Sequence, residues 1–156
     1  MKTKILYLLT SLSLLAALSS CEEKTICDLA TDVPLRAKFY SILNDTLEVD
    51  TITGSFSVIG IGASDSLAAG LTSQNSVQFT LNPFQDKTEY QLIFDGVSDT
   101  LSISYERKLE LVSELCGFIT NFDIKKLEST YNYIDSVALI NSEVRTENEQ
   151  HVKIYF

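Results

Sequence analysis

Whatever chemistry this chain performs must come from a short inventory: one His, three Cys and 21 acidic residues among 156. His151 titrates near neutrality and is the residue type most often used as a general base. It sits on the polar side of the alternating run Val152-Lys153-Ile154-Tyr155-Phe156, which predicts a solvent-exposed imidazole rather than a catalytic one. A single His also excludes a multi-histidine metal centre. Gly60-Ile61-Gly62-Ala63-Ser64 has neither the third Gly of a dinucleotide fingerprint nor the Lys of a phosphate loop. It reads as a bulged strand running into a turn. Asp45, Glu48 and Asp50 cluster near a turn but lack the alternating acids of a calcium-binding loop, so no metal is expected. Two carboxylates at the right separation could hydrolyse a glycosidic bond. Nothing in the spacing selects a pair, and acids this numerous are expected to form a solvated surface. No catalytic residue and no cofactor is therefore expected.

The cysteines are more informative. Lys2 and Lys4 precede an apolar run, Ile5 to Leu18, broken only by Thr10, Ser11 and Ser13. At about 1.5 Å per residue that run spans about 21 Å, too short to cross a bilayer and the length of a secretory signal. It ends in Leu18-Ser19-Ser20-Cys21, which resembles the lipobox of bacterial lipoproteins. The resemblance implies cleavage before Cys21, acylation of its thiol and attachment to the outer membrane. Cleavage removes Lys2 and Lys4 and no acid, so 12 basic residues become 10 against 21 acids, and net charge moves from −9 to −11. Such a charge argues against nucleic acid as a partner. Glu22-Glu23 directly after Cys21 resembles a surface-export signal, leaving both the periplasmic side and the cell surface open. Cys27 and Cys116 remain, and an even pair in an oxidising compartment predicts a disulfide. The alternative is two buried free thiols.

These residues need a scaffold, and the scaffold reads as β-structure. Period-two alternation recurs from Val33 onward: Leu35, Ala37, Phe39; Val77, Phe79, Leu81; Tyr90, Leu92, Phe94; Leu101, Ile103, Tyr105. Asp95-Gly96 marks a hairpin turn. The phase of the Leu101 run continues through Leu109 and Leu111, predicting a long strand bulged near Arg107. Phe118, Thr120, Phe122 and Ile124 form another row, as do Ile134, Val137, Leu139 and Ile140, and then Val152, Ile154 and Phe156. Only 125–130 has the pattern of a helical turn. The sum is an all-β fold, a single antiparallel β-sandwich of about eight or nine strands, with an Ig-like architecture as the first candidate. The predicted division is a signal peptide over 1–20, a lipidated tether over 21–32 and one domain over 33–156.

Several segments together carry a family resemblance. They are Leu101-Ser102-Ile103-Ser104-Tyr105, Val112-Ser113-Glu114-Leu115-Cys116-Gly117-Phe118, Ile134-Asp135-Ser136-Val137 and Val152-Lys153-Ile154-Tyr155, with Cys27 before them. They resemble a family of short Bacteroidota lipoproteins of uncharacterised function. The resemblance implies an envelope location, a β-rich domain and no catalytic residue to carry over. The expected role is a non-catalytic anchored domain, an accessory or binding subunit of an outer-membrane protein complex. Its partners would be the membrane, through Cys21, and an envelope protein such as an outer-membrane barrel. The alternatives are a glycan or small-ligand binding module and, third, a small carboxylate-dependent hydrolase. Tyr131-Asn132-Tyr133, between strands, offers the best candidate surface, with Tyr131 and Tyr133 as the aromatic contacts.

Overall fold

The computed structural model describes residues 33–43, 46–62 and 66–156. The signal, Cys21, Cys27 and Asp45 lie outside the described residues. Among those described there are eleven strands and no helix. They are β1 (Pro34–Leu43), β2 (Thr46–Val49), β3 (Phe56–Gly60), β4 (Ser66–Leu71), β5 (Ser76–Thr80) and β6 (Lys87–Phe94). Then follow β7 (Val97–Ser113), β8 (Gly117–Ser129), β9 (Ser136–Leu139), β10 (Glu143–Val144) and β11 (Val152–Tyr155). The chain is all-β, as predicted. Two short strands escaped the pattern: β4, whose Leu-Ala-Ala-Gly-Leu centre does not alternate, and the two-residue β10.

Two sheets share the strands. One runs β2-β1-β11-β9, with β5 also paired to β1, and the other runs β10-β8-β7-β6-β3-β4. All pairings are antiparallel except β1 with β11, where the first and last strands run side by side in parallel. Between the sheets the rows predicted from alternation meet. Leu35, Ala37, Phe39, Phe79 and Ile154 come from one sheet, Phe56, Leu92, Phe94, Leu101 and Ile103 from the other, and all are buried. The expected Asp95-Gly96 turn joins β6 to β7, with both residues at positive φ (47° and 89°), the conformation of a two-residue hairpin loop.

Two local expectations are corrected. Residues 125–129 are strand and Thr130 lies just past its end, so no helical turn forms. Ser104 pairs with Lys126 while Tyr105 pairs with Ile124, so Lys125 is the extra residue of a β-bulge. The bulge shifts the alternation by one, and that phase break imitates a helical period. His151 is the second. Its strand phase is as read, yet only 1% of its surface is exposed, because the segment between β9 and β11 folds over it.

Candidate functional site

His151 is held on three sides. Its backbone N–H donates to the Arg36 carbonyl at 2.9 Å, and its carbonyl accepts from the Ile140 N–H at 2.8 Å. Its ring Nδ1 accepts the Arg36 backbone N–H at 3.0 Å. A neutral imidazole has one free lone pair, and here it is spent on the backbone of β1. Burial first, and the nearby Arg36 charge second, hold its pKa below the usual 6.5, against a backbone hydrogen bond with Glu143. The ring therefore clips the β9–β11 segment to β1.

This arrangement carries a pH dependence. Below about pH 6.5 the unfolded chain takes up a proton that the folded imidazole refuses, so stability falls as pH drops towards the lower folded value. The slope for one proton is at most about 1.4 kcal/mol per pH unit. His151→Asn keeps an acceptor near Nδ1 and cannot titrate. Urea titrations at several pH values should show this limb in the wild type and lose it in the variant. A limb unchanged by the substitution would assign it elsewhere.

The acids with displaced pKa values also serve the fold. Burial alone would raise the Asp99 carboxyl, but hydrogen bonds from Ile134, Asn132, Thr130 and Tyr133 outweigh it and bring the pKa below the ordinary value. Asp123, between Lys108 and Arg145, and Asp50, hydrogen-bonded by Ser41 and Thr51, are lowered as well. That direction keeps a carboxylate ionised for pairing, the opposite of what a general acid needs. Glu143, Glu147 and Glu149 gather with His151 around a shallow hollow of about 320 Å³. Two of these acids have partners: Arg145 bonds Glu143 at 3.4 Å, and Asn141 bonds Glu149 at 2.7 Å. No group of three or more His, Cys, Asp or Glu among the described residues is placed to hold a metal ion.

The two candidate tyrosines separate. Tyr133 stacks on Phe94 with ring centroids 4.6 Å apart and planes 9° from parallel, and it packs against Phe156 at 5.7 Å. Its ring belongs to the core wall. Tyr131 is 62% exposed and stands without it, so the paired aromatic platform does not form. Cys116 is half-buried at the tip of the β7–β8 hairpin, its N–H donating to Ser113 Oγ at 2.9 Å.

Two features lie at the opposite end of the sandwich, where the sequence marked the elements but not a candidate site. First, the expected turn after Gly60 exists, with Gly62 at φ 84°, and a hollow of about 640 Å³ opens between it and the Thr80–Tyr90 stretch. Its polar groups are engaged: the Tyr90 hydroxyl donates to the Thr80 carbonyl, and the Asn82 N–H donates to the Tyr105 hydroxyl at 3.0 Å. Burial, with Tyr105 beside it, pushes the Tyr90 phenol up to about 12. Second, β7 is 17 residues long but pairs with β6 only up to Ser104, and β10 reaches only Phe122 and Asp123 of β8. Beyond these limits, among the described residues, the hairpin continues as a two-stranded arm. Leu109 and Leu111, opposite Thr120 and Phe118, continue the core-facing row past the reach of the other sheet. All three large apolar residues of this stripe are exposed. The unbroken phase from Leu101 to Leu111 was the visible signal of the arm.

No curated protein and no solved structure matches this chain. A family model does match, over residues 55–156, about two thirds of the chain and every strand from β3 to β11. With that span the chain belongs to the family of unknown function DUF6452.

Proposed function

We propose that this protein is an acylated, non-catalytic envelope lipoprotein whose β-domain serves as an accessory subunit of an outer-membrane protein complex. The observation that carries the reading is Leu18-Ser19-Ser20-Cys21, placed after a basic head and a short apolar run and upstream of a single compact sandwich. The domain's displaced ionisable groups support it, since His151, Asp99 and Asp123 are each bonded into the fold. Cys27 pairs with Cys116 in this reading, fastening the tether to the hairpin tip. Tyr131 remains available to a protein partner at the far end. A glycan-binding role has less support, because Tyr133 is stacked on Phe94 and leaves one aromatic side chain where a platform needs two.

The test has two stages. Cys21→Ala should abolish incorporation of a radiolabelled lipid precursor and release the chain from the membrane fraction. Crosslinking in the native envelope, followed by affinity purification in detergent, should then return a stoichiometric outer-membrane protein. Labelling that survives the substitution removes the anchor, and purification without a stoichiometric partner removes the accessory role.

A further inference from the structure

The strand register places the start of β1 and the exposed apolar side chains at the same end of the sandwich. Pro34 lies opposite Thr80, at the end of β5. Residues 81–86 then cross to Lys87, which lies opposite Ser104, where the arm begins to leave the sheet. Gly60 lies opposite Tyr90 at this end too. So β1, the first described strand after Cys21, begins at the same end as the Ile61 turn, the Phe84 loop and the base of the β7–β8 arm. Phe84 is 86% exposed, Leu109 69% and Phe118 62%, with Ile61, Leu111 and the tip residue Leu115 also open to solvent. Val97, beside the Asp95-Gly96 turn, marks the opposite end.

We propose that this end of the domain rests on the lipid bilayer, with Phe84 and the Leu109, Leu111 and Phe118 stripe set into the boundary between headgroups and acyl chains. The inference rests on the reading that Cys21 is acylated, and it adds an orientation that the anchor alone would not impose. Three arguments favour lipid as the occupant. The apolar side chains stand on three separate projections, a turn, a loop and a ribbon, which suits a fluid surface more than a single docking groove. A two-stranded ribbon with an open apolar face is marginal in water and gains by burying that face. Geometry supplies the third: six residues from Cys21 to Cys27 reach at most about 20 Å when extended. With Cys27 bonded to Cys116, the arm tip is kept within that distance of the acyl anchor. The cations at the base of the arm are already paired, Arg107 with Asp86 at 2.8 Å and Lys108 with Asp123, so the contact depends on apolar side chains.

The test uses the full-length chain in its own membrane, with the photocrosslinker benzoylphenylalanine installed singly at position 111, 118 or 97 and phospholipids radiolabelled in the headgroup, which acylation of Cys21 does not transfer. Positions 111 and 118 should yield lipid adducts, and position 97 should yield none. Three outcomes would overturn the proposal: a product of twice the chain mass, which makes the arm a contact between copies; a product with another protein; or lipid labelling at 97 equal to that at 118. Acylation of Cys21 is read in the same membranes. Acylated Cys21 without lipid adducts at 111 and 118 refutes the orientation and leaves the anchor standing. Lipid adducts with unmodified Cys21 refute the anchor and leave the apolar contact standing.

Discussion

Replacing Asp99 with Ala is expected to lower the unfolding free energy by about 4 kcal/mol, a large share of the total for a domain of this size. Asp99 is 1% exposed, and its two oxygens accept four hydrogen bonds. Oδ1 takes the Thr130 hydroxyl and the Asn132 N–H, both at 2.7 Å. Oδ2 takes the N–H groups of Tyr133 at 2.7 Å and Ile134 at 2.9 Å. This one carboxylate organises the whole passage from β8 to β9. Truncation leaves three backbone donors without their acceptor, and each such loss in a buried site costs about 1–3 kcal/mol. Asp99→Asn keeps one acceptor oxygen but turns an amide N–H₂ towards two donors, so about 2 kcal/mol should be lost. Urea denaturation would show a lower midpoint at unchanged slope. A midpoint shift equivalent to less than about 1 kcal/mol in the Ala variant would mean that water replaces the carboxylate and the site is no staple.

The same residue sets part of the acid response. Because the folded pKa lies below the unfolded value of about 3.9, its contribution is complete above that pH. It is lost as pH falls through the lower folded value. His151 acts in a separate window, beginning near pH 6.5 and extending downward. Two limbs on the acid side are therefore expected, and each single variant should remove its own.

Alternation was sufficient to find the core because a sandwich buries one face of nearly every strand. Leu92, Leu101, Ile103 and Phe79 could be assigned inward from their neighbours alone, and all four are buried. Alternation gives the face of a side chain but not what covers it. Leu109 and Leu111 share a face with Leu101 and Ile103, yet they are exposed because the opposing sheet stops short. His151 shows the converse, a residue on the outer face that the loop preceding it covers. Asp99 was invisible for a different reason. Its partners lie 31 to 35 residues away, and nothing local distinguishes it from the acids that remain at the surface. The bulge at Lys125 misled through local pattern, where one extra residue reversed the phase.

Phe94 and Phe118 provide the sharpest test of which face is covered. Both are Phe at the end of an alternating row, and the sequence assigns both to a core face. Phe94 ends β6 at the centre of an aromatic cluster drawn from both layers. Its ring lies 5.0 Å from Phe56, 6.2 Å from Phe39, 4.6 Å from Tyr133 and 6.5 Å from Phe156. Phe94→Ala should open a cavity between the sheets and cost about 3–5 kcal/mol, whereas Phe94→Leu, which fills most of it, should cost about 1.5 kcal/mol. Phe118→Ala removes as many atoms from a side chain that solvent already surrounds, and the soluble fold should lose no more than about 0.5 kcal/mol. With seven Tyr and no Trp, near-ultraviolet circular dichroism reports the tyrosines, so Phe94→Ala should also weaken the signal from the stacked Tyr133. Equal losses for Phe94→Ala and Phe118→Ala in detergent-free solution would show that the arm is packed against protein, leaving no apolar stripe for the bilayer. Unequal losses in solution that narrow in membranes would be the signature of an arm whose missing second layer is lipid.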